Sequence, residues 1–176
     1  GKGIPVGNLI DLEKDERVVS LIDCDEYNEK YLFFATKKGI VKRTKLEEFQ
    51  RINANGKYAI TFKDDDSLLN VCVTDGDALI ALATNKGMLC LFKEDDVRAM
   101  GRTAAGVKGI NTKGGEVVAL STSLSGDKVF VLSENGLGKL SPLDDYRQTK
   151  RGAGGVITIK TTDKTGLLVG MNIVKG

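Results

Sequence analysis

The residues of this chain that could do chemistry are its lysines and arginines, which are concentrated in three segments. Residues 37–51 carry a net charge of +4, residues 98–113 carry +4 and residues 139–160 carry +3. The whole chain carries only +2, so the remaining residues together carry −9. Cationic side chains grouped in this way on an otherwise acidic chain are typical of a surface that binds a polyanion such as duplex DNA.

Binding of DNA through these segments would be electrostatic. Lysines and arginines that contact phosphates release condensed counterions, so the affinity would fall steeply with salt. The sequence shows no recognition helix, zinc finger or aromatic-rich strand, so we expect contacts to the DNA backbone and little sequence preference. Two alternatives remain. The basic residues could be solvated strand ends that protect sheet edges from aggregation, or the basic edge could bind an acidic protein partner.

The sequence contains no recognisable active site. It has no histidine, which excludes histidine bases, triads and metal ligands. The segment 101–108 has two glycines but lacks the lysine position and following helix of a phosphate loop. Residues 64–66 are three aspartates without the ligand spacing of a calcium loop. We therefore predict no catalytic residue, no metal site and no cofactor in this chain, and we interpret its three cysteines as reduced intracellular thiols.

The basic segments recur because the sequence itself repeats. Gly39, Gly87 and Gly136 each follow two polar residues, and they lie 48 and 49 residues apart. Before each glycine runs an apolar strand, and after it runs a second strand that ends in two acidic residues. Self-similarity at a period of this size indicates a propeller or a solenoid.

One repeat contains four short strands. In the second repeat we predict them at Tyr58–Phe62, Leu68–Val73, Ala78–Ala83 and Met88–Phe92. Four strands in about 50 residues are typical of a propeller blade. No amphipathic helix longer than one turn is apparent, and single turns are expected after each hairpin, at 46–49, 94–97 and 143–146.

We therefore predict an all-β, propeller-like array of three to four blades. Blade boundaries are expected near residues 1–55, 56–105 and 106–154, with a partial blade at 155–176. Three blades form an arc rather than a closed ring, so we expect the chain to be a fragment. No apolar run approaches the roughly 20 residues that would span a bilayer.

Three segments resemble one known family. Residues 97–110 read Val-Arg-Ala-Met-Gly-Arg-Thr-Ala-Ala-Gly-Val-Lys-Gly-Ile, and residues 146–156 read Tyr-Arg-Gln-Thr-Lys-Arg-Gly-Ala-Gly-Gly-Val. Together with Lys-Lys-Gly-Ile-Val-Lys-Arg-Thr at 37–44, they closely resemble the C-terminal domain of the bacterial DNA gyrase A protein. The resemblance covers essentially the whole chain. The related domain of topoisomerase IV is the nearest rival.

The resemblance implies a β-pinwheel, in which neighbouring blades exchange strands and DNA wraps around a basic outer rim. In gyrase this wrap serves ATP-dependent negative supercoiling. The implied partners are double-stranded DNA, the gyrase B protein and a second gyrase A protein, in the bacterial cytoplasm with the nucleoid and away from any membrane. The catalytic tyrosine, the Mg²⁺-binding acids and the ATP site would lie in other parts of the enzyme, so the fragment alone would not be an enzyme.

The resemblance also indicates where DNA would lie. The family's wrapping box, Gln-Arg-Arg-Gly-Gly-Arg-Gly, has a degenerate counterpart at residues 148–155. The candidate DNA-binding residues flank the glycine-rich links between blades, where small residues would let a phosphate backbone approach. They are Arg51, Lys57, Arg102, Lys108, Lys150 and Arg151, followed in rank by Lys42, Arg43 and Lys139 on the strands after the glycine turns.

Overall fold

The computed structural model describes residues 30–46, 66–101, 104 and 106–175. In these residues the chain is built from short antiparallel strands joined by tight turns. The strands are β1 (Tyr31–Thr36), β2 (Ile40–Lys45), β3 (Leu68–Thr74), β4 (Leu79–Thr84), β5 (Met88–Lys93), β6 (Val107–Lys108), β7 (Val117–Thr122), β8 (Lys128–Ser133), β9 (Gly138–Pro142), β10 (Val156–Ile157) and β11 (Leu168–Val174). Single turns of 3₁₀ helix occur at Glu94–Asp96, Ser123–Ser125 and Leu143–Asp145.

Each of the three hairpins predicted from the glycine turns forms part of a sheet, at the centre of the first two sheets and at one edge of the third. The glycines at the turns, Gly39, Gly87 and Gly136, have φ values of 93°, 81° and 86°. Glycine adopts this left-handed conformation without steric cost, which is why the turn is tight enough to return the chain. The first sheet has the order β3-β1-β2-β6, the second β7-β4-β5-β10 and the third β11-β8-β9. The predicted all-β array of blades is confirmed.

Neighbouring sheets exchange strands. In the first sheet the hairpin β1-β2 pairs with β3 on one side, and on the other with the two-residue strand β6, which follows the second hairpin. The second sheet is completed in the same way by β7 and β10. Each of these two sheets therefore depends on chain that follows the next hairpin.

Strand exchange corrects the contiguous four-strand repeat. Leu68–Thr74 pairs with β1 of the first hairpin and not with β4, so the first sheet crosses the expected boundaries near residues 55 and 105. Apolar strand β3 has the same local pattern whichever hairpin it joins, so its partner could not be read from periodicity. The exchange that the resemblance implied is the observed arrangement.

The core lies between successive sheets. Phe33 and Phe92 lie between the first and second sheets with ring centroids 6.3 Å apart, together with the buried side chains of Leu82 and Ile110. A second cluster joins the second and third sheets, and its members include Leu91, Val129, Val131, Ile159 and Leu168. Stacked sheets with apolar facing sides give the array its stability.

The third sheet has one covered and one uncovered face. Burial alternates along β8, whereas β4 is buried almost throughout. The exposed apolar side chains on and beside this sheet include Phe130, Leu132, Leu140, Leu167 and Val169. No helix in the described part of the chain is long and apolar enough to cross a membrane.

Candidate nucleic-acid interface

Two glycine-rich links between hairpins are joined by backbone hydrogen bonds. The first link comprises residues 97–111, of which 102, 103 and 105 lie outside the described residues, and the second comprises residues 146–155. The amide of Gly152 donates to the carbonyl oxygen of Gly109 at 2.7 Å, and the amide of Asn111 donates to that of Ala153 at 2.9 Å. Two basic segments that lie about 40 residues apart in sequence are thereby brought into direct contact.

Arg151 joins the two links through its side chain. Its Nη1 donates to the carbonyl oxygen of Lys108 at 3.1 Å, and its Nε donates to that of Asp96, also at 3.1 Å. The side chain remains exposed. Arginine has five N–H donors in a fixed fork, so two can hold backbone carbonyls while others face solvent. Arg151 therefore both positions the links and adds positive charge to their surface.

Lys108 and Lys150 flank Arg151 and are exposed. Lys108 lies on β6 opposite Ile40, and Lys150 immediately precedes Arg151 in the second link. Within the described residues, neither ammonium group takes part in an ion pair or a side-chain hydrogen bond. The structure thus places three of the predicted residues together as a basic cluster, which we call the link cluster: Lys108, Lys150 and Arg151. Arg51, Lys57 and Arg102 lie outside the described residues.

The glycines of the links have a packing role. A Cβ on Gly106 would lie 2.5 Å from the carbonyl oxygen of Val41, and a Cβ on Gly155 would lie 2.3 Å from that of Leu89. Both glycines have positive φ, at 90° and 81°. They stand at equivalent places, where each link enters its short outer strand. At these two positions glycine is required because the link passes directly over the neighbouring hairpin.

Lys139 is exposed but tied to the protein. Its Nζ donates to the carbonyl oxygen of Thr158 at 3.1 Å, just beyond the second link. An exposed ammonium has three donors, so one bond to a carbonyl leaves others available. Lys139 stays a candidate, bonded to the chain three residues beyond the second link.

Lys42 and Arg43 are not on an exposed rim, which corrects the expectation for both. Lys42 is fully buried, with its Nζ 5.7 Å from the centroid of the Phe34 ring. Arg43 is buried, with its guanidinium carbon 4.2 Å from the centroid of Tyr31. Strand β2 is covered on both faces, so a basic residue on it turns inward whichever face it occupies. Neither residue belongs to a surface for DNA.

A buried carboxylate was missed by the sequence analysis. Glu94 Oε2 lies 3.3 Å from Arg43 Nη1 and accepts a 2.6 Å hydrogen bond from the Thr74 hydroxyl. Its Oε1 accepts from the amides of Gly76 and Ala78 at 2.7 and 2.8 Å. One signal could have found it: the equivalent residues of the other two hairpins are Leu46 and Leu143. An acid at a position that is otherwise apolar requires a buried cation or donors.

The two described cysteines are free thiols. Burial, and to a smaller extent the charge of Glu94, raises the pKa of Cys72 to about 12. Burial also raises the pKa of Cys90, although a hydrogen bond from Thr149 opposes the shift. Cys90 lies under the second link, with its Sγ 3.4 Å from the Thr149 hydroxyl. Neutral, buried thiols of this kind are poor nucleophiles and metal ligands.

Comparison with known proteins agrees with this architecture. Residues 30–75, 78–123 and 127–175 each match the family described as DNA gyrase C-terminal domain, beta-propeller. The chain is 48% identical to the DNA gyrase A protein of Mycoplasma genitalium over 99% of its own length and 21% of that protein. It therefore spans about a fifth of this relative.

Two solved structures share the fold. The C-terminal domain of DNA topoisomerase IV superposes with a TM-score of 0.75 at 28% identity, over 85% of this chain and 48% of that one. A DNA gyrase A C-terminal domain superposes with a TM-score of 0.71 at 26% identity, over 80% and 47%. Because the three matches to the family span most of the sequence and each contains one of the three hairpins, the chain belongs to the DNA gyrase C-terminal domain family.

Proposed function

We propose that this chain binds duplex DNA through its inter-blade links, without reading base sequence. The observation that carries the proposal is the pairing of the two links by backbone hydrogen bonds, which gathers Lys108, Lys150 and Arg151 into one exposed cluster. Cations at fixed spacing along a curved edge can each neutralise a phosphate and release its counterion. Membership of the gyrase family supports DNA as the polyanion.

We propose further that the bound duplex bends around the array and that this wrap serves negative supercoiling by a type II topoisomerase. The partners in that enzyme would be the gyrase B protein and a second gyrase A protein, in the bacterial cytoplasm. ATP and Mg²⁺ would act in parts of the enzyme that this chain does not contain. What this chain supplies is a rigid, cationic edge, since interlocked sheets hold the links at fixed separation.

DNA binding is tested by gel-shift titration of a duplex of random sequence. Lys108→Glu and Lys150→Glu together change the charge by −4 and break no described side-chain contact. Lys164→Glu and Lys175→Glu, two exposed residues away from both links, are the matched control. We expect the link variant to lose most of its affinity and the control to lose little. Equal losses of affinity in both variants would show that only the net charge of the protein matters for binding. An unchanged affinity of the link variant would refute the proposal.

Wrapping is tested by ligating nicked circular DNA in the presence of the protein. A wrapped duplex shifts the linking number of the closed circles, whereas simple binding along a straight duplex does not. We expect a shift for the wild type and none for Lys108→Glu with Lys150→Glu. A wild type that binds DNA and leaves the linking number unchanged would contradict wrapping. A wild type that binds no DNA at moderate salt would instead favour an acidic protein as the partner.

A further inference from the structure

A lysine outside the predicted set reaches into the second link. The loop at residues 111–116 packs on the turn of the second hairpin, where the Lys86 Nζ donates to the carbonyl oxygen of Lys113 at 2.8 Å. The amide of Lys113 donates to Asn111 Oδ1 at 3.0 Å, and the amide of Glu116 donates to Asn85 Oδ1 at 3.1 Å. These bonds fix the loop relative to the hairpin.

The backbone of Lys113 is held in an unusual conformation. Its φ is +51°, and it is the one described residue other than glycine with a positive φ. This left-handed conformation costs free energy for a residue with a Cβ. A glycine or asparagine would adopt it more easily, and glycines follow at positions 114 and 115. The local backbone therefore does not favour lysine here, so its side chain requires another explanation.

The side chain of Lys113 lies over Gly154. A Cβ built on Gly154 would be 2.9 Å from the Cε and 3.1 Å from the Nζ of Lys113. The ammonium group is therefore in the second link, three residues along the chain from Arg151. Lys113 is exposed, and its Nζ makes no hydrogen bond or ion pair with any described residue. The backbone of Lys113 therefore belongs to the loop at residues 111–116, whereas its positive charge lies at the surface of the second link and faces solvent.

From this geometry we propose that Lys113 is a further phosphate-contacting residue of the DNA surface and that Gly154 makes room for its side chain. The proposal rests on the proposed function and extends the link cluster by one cation. The absent side chain at position 154 leaves the space that the lysine stem occupies. Lys86 acts as a positioning residue, because its ammonium holds the carbonyl of the strained lysine. The ligand is the phosphodiester backbone of the same bound duplex.

The test measures duplex affinity against salt concentration for Lys113→Gln, with Lys175→Gln as the matched control. Loss of one phosphate contact should lower the slope of log K against log salt by about 0.9 and the affinity at about 0.1 M salt by fivefold to tenfold. Lys113→Arg should keep the slope. If Lys113→Gln binds as the wild type does while Lys108→Glu with Lys150→Glu fails to bind, Lys113 is not a contact although the proposed function stands. A wild type that binds no DNA would contradict both the Lys113 contact and the proposed function.

Gly154→Ala tests whether the absent side chain at position 154 makes room for Lys113. Gly154 does not have a positive φ, so alanine is compatible with its backbone and acts only by displacing the lysine. Gly170→Ala is the control, since a Cβ there meets no atom within 4 Å. We expect Gly154→Ala to reproduce the slope of Lys113→Gln and to add nothing in the double variant. If Gly154→Ala keeps the wild-type slope while Lys113→Gln loses it, Gly154 is not needed to position the Lys113 side chain.

Discussion

Arg43 and Glu94 form a buried ion pair between the first and second sheets, with Nη1 and Oε2 3.3 Å apart. The residues equivalent to Arg43 in the other hairpins are Leu91 and Leu140, and those equivalent to Glu94 are Leu46 and Leu143. Two repeat positions that hold leucine in the other hairpins thus hold a matched cation and anion at this junction. The ion pair makes the contact between the first and second sheets chemically different from the contact between the second and third sheets. Leucine at all of these positions would make the two contacts alike.

The two partners should differ in their effect on stability. Glu94→Leu leaves a guanidinium buried without its anion and removes the acceptor of three hydrogen bonds, so we expect a loss of about 3–5 kcal/mol in the free energy of unfolding. Arg43→Leu leaves the carboxylate with its three donors, and we expect it to cost at least about 1 kcal/mol less than Glu94→Leu. Urea unfolding of both variants measures the difference. Equal losses would show that the hydrogen bonds to Glu94 contribute nothing beyond the ion pair.

The uncovered face of the third sheet makes a matched test of burial. Leu91 and Leu140 occupy the same repeat position, but Leu91 is 3% exposed and Leu140 is 55% exposed. We expect Leu91→Ala to cost about 2–5 kcal/mol, because it leaves a cavity between two sheets. Leu140→Ala should stay within about 0.5 kcal/mol of the wild type. Chemical denaturation distinguishes the two, and a large loss for Leu140→Ala would mean that this face is covered in solution.

Arg151 should act on the links as well as on DNA. Arg151→Lys keeps the charge but cannot hold two carbonyl oxygens with a planar fork. We expect a loss of about 1 kcal/mol in stability and faster hydrogen exchange of the Gly152 amide, which bonds to Gly109 across the links. The salt dependence of DNA binding should change little. Unaltered protection of that amide would show that the backbone bonds alone hold the links together.

Cys72 should make the protein less stable at alkaline pH. Its pKa is raised to about 12 in the folded state, whereas an unfolded thiol has a pKa near 8.5. Below that value both states are protonated and the thiol contributes no pH dependence. Between about pH 9 and 12 only the unfolded thiol ionises, so stability falls by at most about 1.4 kcal/mol per pH unit. Cys72→Ala should therefore show a shallower decline than the wild type over this range. Identical pH profiles would contradict the shift.

Sequence periodicity was sufficient for the hairpins but not for the pairing between them. The turns at Gly39, Gly87 and Gly136 are local, since a positive φ and two flanking strands define each one. The partner of Leu68–Thr74 depends on contacts with a hairpin that precedes it by a long connection, and no local pattern encodes that choice. The strand exchange was available only from the resemblance to a known family.

The candidate site could be predicted only in part, because the sequence shows where charges stand but not which side chains are buried or which distant residues they contact. Lys108, Lys150 and Arg151 lie within two residues of a glycine in the links, where exposure is the expected state. Lys42 and Arg43 have the same charge but stand on a strand covered on both faces, so charge alone misplaced them. Lys113 was missed because its contact with Gly154 joins residues 41 positions apart. Comparison of the three hairpins, with Leu91 at the position equivalent to Arg43, would have shown the buried position of that arginine.

The central claim is that paired links present aligned cations to the phosphates of a duplex. The most direct measurement is the slope of log K against log salt for duplex DNA, compared between the wild type and Lys108→Gln with Lys150→Gln. Each lost phosphate contact lowers the slope by about 0.9, so we predict a slope shallower by about 2. Lys164→Gln with Lys175→Gln should keep the wild-type slope. A link variant whose slope equals that of the wild type would contradict the claim.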